Sequence, residues 1–279
     1  MSIQTKRSTP LIERSSPLLK RVQRLHTREE RERTGLFYVE GMRLVTQAWH
    51  HHARIEHLMV CRELLTHPYA QRLVHEQKKH GIPVLEVSRF VMERLSQVTD
   101  SQGLGAVVRQ RWQRLESVKP RGELCWIAIE TIRSPGNLGT ILRTSDAVGG
   151  AGLLCLGHET DPYDPGTVRA TMGAMFTQRF VRTSQEEVLH WKRRQQYLLV
   201  GTSPGALQDY QEVRYQAPLI LLIGEERKGL SAELQAMCDR MVRIPMIGEA
   251  DSLNVAMATG IMLYEVFNQR RRQTEQPAN

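Results

Sequence analysis

Three polar clusters in the second half of the chain hold residue types that could do chemistry. The first is Ser134-Pro135-Gly136-Asn137-Leu138-Gly139, followed by Arg143. The second is Gly224-Glu225-Glu226-Arg227-Lys228-Gly229-Leu230. The third, Ser252-Leu253-Asn254-Val255, comes seven residues after Ile244-Pro245. Each follows an apolar run that reads as a buried strand, and open α/β sheets bind their ligands at that edge. Pro135-Gly136 forces a turn, and Gly139 lets backbone approach closely. Asn137 and Arg143 fall at the start of one helix and could converge on one ligand, with Arg143 a charged planar fork suited to phosphate. Taken alone, they read more readily as an Asn in a turn and an Arg in a surface ion pair, for instance with Asp146. Glu226 is a carboxylate delivered by a strand end and able to position a hydroxyl, although the run 225–228 also reads as a solvated loop. Asp251 or Ser252 reads as the cap of the next helix. That places Ser252 and Asn254 in its first turn, where backbone N–H groups favour an anion. Capping accounts for Ser252 but not for Asn254.

The elements that must position these clusters alternate strand, loop and helix from Leu124 onward. Strands are expected at 124–129, 152–156, 176–182, 197–201, 218–223 and 241–244, and helices at 138–148, 165–174, 185–195, 231–239 and 253–270. Several of the strands are unbroken apolar runs, as buried parallel strands should be. On the last helix Leu253, Met257, Gly260 and Tyr264 form a stripe, with Ala256, Leu263 and Phe267 beside it. That stripe fits a core and a face against a second copy equally well. Upstream, a basic helix at 17–34 closed by Gly35 leads into a strand at 36–39, a helix at 41–49 and a strand at 55–61. A helix at 68–80, a strand at 83–87, a helix at 91–97 and a strand at 105–109 follow, which suggests a small α/β layer domain. The charged stretch 110–122 reads as the connection. The expected division is a disordered basic tail at 1–16, domains at 17–115 and 124–272 joined by a linker at 116–123, and a frayed tail at 273–279.

A chain of 279 residues has room for two domains that each bury a core. No run approaches the roughly 20 apolar residues of a membrane span, and the polar N-terminus has no apolar stretch of the secretory kind. Cys61, Cys125, Cys155 and Cys238 are far apart and form no CxxC pair, which argues against disulfides and zinc and for the cytoplasm. His50-His51-His52 cannot share one helix face, so no metal is expected. The chain has no GxGxxG after a strand and no GxxxxGK[ST], so neither a dinucleotide site nor a P-loop is indicated. The net charge of +8 is one-sided. Residues 1–120 hold 21 Lys and Arg against 12 Asp and Glu, and residues 121–279 hold 17 against 18. A basic excess confined to one part of a chain is the electrostatic footprint of a polyanion partner.

In this order and spacing the three clusters resemble the SpoU (TrmH-type) branch of the SPOUT RNA methyltransferases, over roughly residues 124–270. Asn137-Leu138-Gly139 with Arg143-Thr144 is similar to the family's first motif, and Gly224, Glu226 and Lys228-Gly229-Leu230 to its second. Ile244-Pro245-Met246 through Ser252-Leu253-Asn254-Val255 is similar to the third. Thr34 to Gly41 resembles the entry to the L30e-like substrate-binding domain of many members. The resemblance implies an α/β fold, with a C-terminal trefoil-knot (SPOUT) domain preceded by a smaller L30e-like α/β domain. It implies S-adenosyl-L-methionine held by backbone at Gly224, Ile244 and Leu253, with Thr202 nearby. It implies a catalytic group of Asn137, Arg143, Glu226, Ser252 and Asn254, a homodimer, and methylation of a ribose 2'-OH in RNA, 23S rRNA favoured over tRNA. A guanidinium does not readily give up its proton. Arg143 is therefore assigned to gripping the target phosphate and to steadying negative charge on oxygen. The other four orient it, the ribose and the cofactor. The chain departs from the pattern at Ser134, Glu225, Arg227 and Ala256, none of them a catalytic position. A non-catalytic RNA- or ribosome-binding protein and a base methyltransferase on the same fold are the alternatives.

Overall fold

The computed structural model describes residues 16–275, in two compact units. One runs to Gln110 and includes Tyr163–Pro165; the other holds Arg111–Pro162 and the chain from Gly166. The tail expected at 1–16 lies outside the described residues except for Ser16, which caps the first helix. Of the frayed end expected at 273–279, residues 276–279 lie outside them, and the last helix runs on to Glu275.

In the first unit α1 (Pro17–Arg24) and α2 (Arg28–Thr34) precede β1 (Leu36–Glu40), α3 (Met42–His50) and β2 (Ile55–Val60). Then come α4 (Pro68–Lys79), β3 (Val84–Glu86), α5 (Arg89–Leu95) and β4 (Leu104–Arg109). The sheet order is β1-β4-β2-β3, with β4 antiparallel to both neighbours and β3 parallel to β2. Leu19, Val22 and Leu25 pack with Tyr38, Met59, Val91 and Val107 beneath it. The single helix expected over 17–34 is two helices. Thr27 caps α2 by accepting the Glu30 N–H at 3.4 Å. Arg31, buried, reaches back and donates to the carbonyls of Leu25 and His26, both at 2.9 Å. Those carbonyls are left open by the end of α1, and satisfying them holds a bend that apolar spacing does not encode. Gly35 ends α2 at φ +64°, as its position foretold.

The second unit comprises β5 (Trp112–Gln113), β6 (Trp126–Ile129), α6 (Pro135–Ala147), β7 (Gly152–Leu156), α7 (Pro165–Ala170), β8 (Arg179–Thr183) and α8 (Gln185–Gln195). It continues with β9 (Leu198–Thr202), β10 (Gln208–Asp209), β11 (Leu219–Ile223), α9 (Ala232–Met237), β12 (Arg240–Arg243) and α10 (Val255–Glu275). The sheet order is β10-β12-β9-β11-β6-β7-β8-β5, and every pairing is parallel. All of β6, β7 and β11 is buried, as unbroken apolar runs require. The stretch 110–122, expected as a connection, contributes edge strand β5, which pairs with β8 at Phe180 and Val181. The Arg182 guanidinium lies over the Trp112 ring, 4.4 Å from its centroid. The helix expected at 165–174 ends at Ala170, and the strand expected from 176 begins at Arg179. Met172 and Gly173 take positive φ between them, which no continuing helix or strand can do.

The apolar stripe of the last helix divides. Ala256 and Leu263 are buried, whereas Leu253, Met257 and Tyr264 are 40, 62 and 47 % exposed. All four cysteines are free thiols, and burial pushes the Cys125 thiol up to about 12. Among the described residues no helix is long and apolar enough to cross a membrane.

Candidate active site

Parallel strands β12, β9 and β11 lie side by side, so their C-terminal ends form one edge. That edge carries Thr202 at the end of β9, Gly224 just past β11 and Ile244 just past β12. With Leu253, from the loop before α10, these residues line a cavity of about 340 Å³. Glu226 and Ser252 are also on its wall. The loop after β11 is closed by two backbone bonds, Glu225 N–H to Gly229 O at 3.1 Å and Gly229 N–H to Glu225 O at 3.0 Å. Gly224 must be glycine for this closure, because a Cβ there would run into the backbone of Gly229 and Leu230. The close approach expected at Gly139 is also present: a Cβ there would stand 2.8 Å from the Thr167 carbonyl.

Beside the cavity, three of the five expected catalytic residues form one hydrogen-bonded chain. Asn254 Nδ2 donates to Asn137 Oδ1 at 3.1 Å, and Asn137 Nδ2 donates to Glu226 Oε1 at 3.3 Å. The amide oxygen of Asn254 accepts the N–H groups of Ala256 and Met257 at 2.9 and 3.2 Å. Asn254 is therefore the cap of α10, and neither it nor Ser252 lies in the first helical turn. The expected assignment of the cap to Asp251 or Ser252 is corrected. Asn fits the position as well as Ser does, and Ser252, two residues earlier, bonds Asp251 Oδ1 at 3.2 Å instead. Ser134 caps α6, accepting the Asn137 N–H at 3.3 Å, and so fixes the backbone of the central amide.

The capping bonds decide which way every amide in this chain points. Asn254 spends its oxygen on α10, so its NH₂ faces Asn137. Asn137 then spends its oxygen on Asn254, so its own NH₂ faces Glu226. The Glu226 carboxylate also accepts the N–H groups of Arg133 and Ser134, at 3.2 and 3.0 Å. Burial alone would raise its pKa, but these backbone donors and the Asn137 amide outweigh burial and hold it below the ordinary carboxylate value. Glu226 is thus an ionised anchor rather than a base poised near neutrality.

The other two expected catalytic residues stand apart. Ser252 is exposed on the cavity wall. Arg143 is exposed on α6, off the cavity wall. No ion pair joins it to Asp146 among the described residues; the Asp146 carboxylate accepts the Thr177 hydroxyl. The backbone donors from Arg133 and Ser134 were not foreseen, because main-chain N–H groups leave no trace in residue type. Thr259, buried on α10 and on the cavity wall, was also missed; it sits in an apolar helix and donates to the Val255 carbonyl at 2.7 Å.

Residues 125–264 match the model of the SpoU rRNA Methylase family, and residues 16–106 match the MRM3-like substrate binding domain. A 23S rRNA (uridine(2479)-2'-O)-methyltransferase of Streptomyces viridochromogenes is 32% identical over 252 residues, covering 88% of this chain and 87% of that protein. The 23S rRNA (guanosine(2553)-2'-O)-methyltransferase RlmP of Bacillus subtilis is 26% identical over 244 residues, covering 88% and 93%. The crystal structure of an AdoMet-bound rRNA methyltransferase from Sinorhizobium meliloti superimposes with a TM-score of 0.84 at 33% identity, covering 96% of this chain and 98% of that one. Sequence, architecture and the loops at the sheet edge agree, and the chain belongs to the SpoU rRNA methylase family.

Proposed function

We propose that this protein is an S-adenosylmethionine-dependent methyltransferase that acts on a ribose 2'-OH of RNA, 23S rRNA before tRNA. The Asn254–Asn137–Glu226 chain beside the cavity carries this reading. The names of the relatives and the basic excess of residues 1–120 support it. In this reading the unit that runs to Gln110 is the L30e-like RNA-binding domain and the unit from Arg111, edge strand β5 included, is the methyltransferase domain, its C-terminal part threaded as a trefoil knot. The protein works in the cytoplasm as a homodimer joined through the exposed Leu253, Met257 and Tyr264.

A cavity of about 340 Å³ lies within the range of roughly 300–1,000 Å³ that takes small-molecule cofactors. Backbone at Gly224, Ile244 and Leu253, with Thr202 nearby, would hold S-adenosylmethionine, which supplies a methyl group bonded to a positively charged sulfur. The protein's own task is to hold the ribose oxygen still. Positioning lowers such barriers by roughly 7–11 kcal/mol in the best cases. Asn137 and Asn254 each keep one amide N–H beyond those used in the chain. Those N–H groups can donate to ribose oxygens and favour negative charge as it develops there. Glu226 locks the amides in that donor orientation. Arg143 grips a phosphate beside the target nucleotide, and Ser252 orients the cofactor or ribose from the wall.

The test is transfer of label from S-adenosylmethionine to total unmodified RNA, with Arg143→Ala alongside. Label in large-subunit rRNA that is lost in the variant is expected. Label confined to tRNA would overturn the substrate, and no label with a folded protein would overturn the enzyme reading.

A further inference from the structure

Two residues outside the catalytic set tie together the loops that carry it. Arg133 belongs to the loop between β6 and α6, and Glu225 to the loop after β11. Arg133 Nε stands 2.8 Å from Glu225 Oε1. One residue further on, the same two loops are already joined, since the Glu226 carboxylate accepts the N–H groups of Arg133 and Ser134. Two successive residues of one loop therefore engage two successive residues of the other. The Glu225 end of this clasp is fixed. Its backbone exchanges two hydrogen bonds with Gly229, and its side chain is 15 % exposed, against 63 % for Arg133. A carboxylate withdrawn that far from water needs a counter-charge, and Arg133 supplies one. The clasp faces a bond with little slack: Asn137 Nδ2 to Glu226 Oε1 is 3.3 Å, already beyond the usual N–H···O distance of about 2.9–3.0 Å. A small retreat of either loop breaks it.

We propose that Arg133 and Glu225 are positioning residues for methyl transfer, their ion pair holding the two loops so that Glu226 stays aimed at Asn137. The proposal rests on the methyltransferase reading above. It explains why this chain carries charge at 225, one of the positions where it departs from the family pattern. Because Arg133 is mostly exposed, the pair adds little to global stability. Its effect belongs in the rate.

The experiment compares Arg133→Ala, Glu225→Gln and the swap R133E/E225R. It reads single-turnover methyl transfer at saturating RNA and cofactor, cofactor affinity by calorimetry, and hydrogen exchange at the Ser134 amide. Each single change should slow transfer roughly 5- to 50-fold and speed exchange at Ser134, and Arg133→Ala, off the cavity wall, should leave cofactor affinity within about two-fold. The swap, and Arg133→Lys in place of Arg133→Ala, should recover most of both losses. Unchanged rate and exchange in the single variants would overturn the proposal. So would a loss that neither the swap nor Arg133→Lys repairs, or one confined to the KM for RNA, which would make Arg133 a direct RNA contact. If the swap fails to fold, Arg133→Lys and exchange at Ser134 in Glu225→Gln decide. If the unaltered protein transfers no methyl group, the enzyme reading fails, while the exchange measurement still judges the clasp.

Discussion

In the proposed mechanism Asn254 serves a helix and a reaction with one amide group. Its oxygen closes the start of α10, and its nitrogen orders Asn137. The two roles separate chemically. Asn254→Asp keeps an acceptor for the helix but has no N–H to give Asn137, so folding should stay close to that of the parent while kcat falls about 100-fold or more. Asn254→Ala should lose the cap as well, at a further cost of about 1 kcal/mol in urea unfolding. Equal stability of the two variants would refute the split. Glu226 gives a prediction with a definite sign. Its pKa in the folded protein lies below the ordinary value of 4.5, because the Ser134 and Arg133 N–H groups and the Asn137 amide outweigh burial. The stability it contributes is therefore complete above about pH 4.5 and is lost as the pH falls through the folded value. Urea unfolding across pH should show a constant gap between the parent and Glu226→Gln near neutrality that closes in acid. A gap that widened in acid would mean that the carboxylate is held protonated.

At the scale of elements, the loop after β11 depends on a missing side chain. Gly224→Ala would drive a Cβ into the backbone at Gly229 and Leu230. Because that backbone closes the loop at the cavity, cofactor affinity by calorimetry should fall at least about ten-fold. Most elements of this kind could be read from residue order. Leu219-Ile220-Leu221-Leu222-Ile223 has no polar alternation, and β11 is buried on both faces. Gly35 ends α2 in the left-handed conformation that its position asked for. Thr202, Gly224, Ile244 and Leu253 were named from the family resemblance and share one cavity wall. What escaped reading depends on partners distant in the chain. The bend at Leu25–Thr27 is held by Arg31 turning back on α1, and an Arg in a run of charges reads as solvated. Strand β5 is two residues long and has no period to detect. The cap of α10 lies two or three residues later than expected because Asp, Ser and Asn are equally good caps and local pattern cannot rank them.

At the scale of the molecule, the chain keeps three large apolar side chains of the α10 region in water. In the proposed reading that stripe is the contact surface between two copies. In the proposed dimer, replacing Met257 and Tyr264 together with Lys should shift sedimentation from two copies to one and abolish methyl transfer. An active, monomeric double variant would remove the dimer from the mechanism. The stripe and the amide chain also meet at one helix, since α10 begins just after Asn254, the residue that orders Asn137. Anything that grips α10 from outside therefore also grips the donor aimed at Asn137. Where that grip raises the affinity of the pocket, thermodynamic reciprocity requires occupancy of the pocket to tighten the hold on α10 by the same factor. Self-association of this protein should then read out ligand binding, with the dissociation constant of the pair falling as cofactor and RNA are added, before any chemistry takes place.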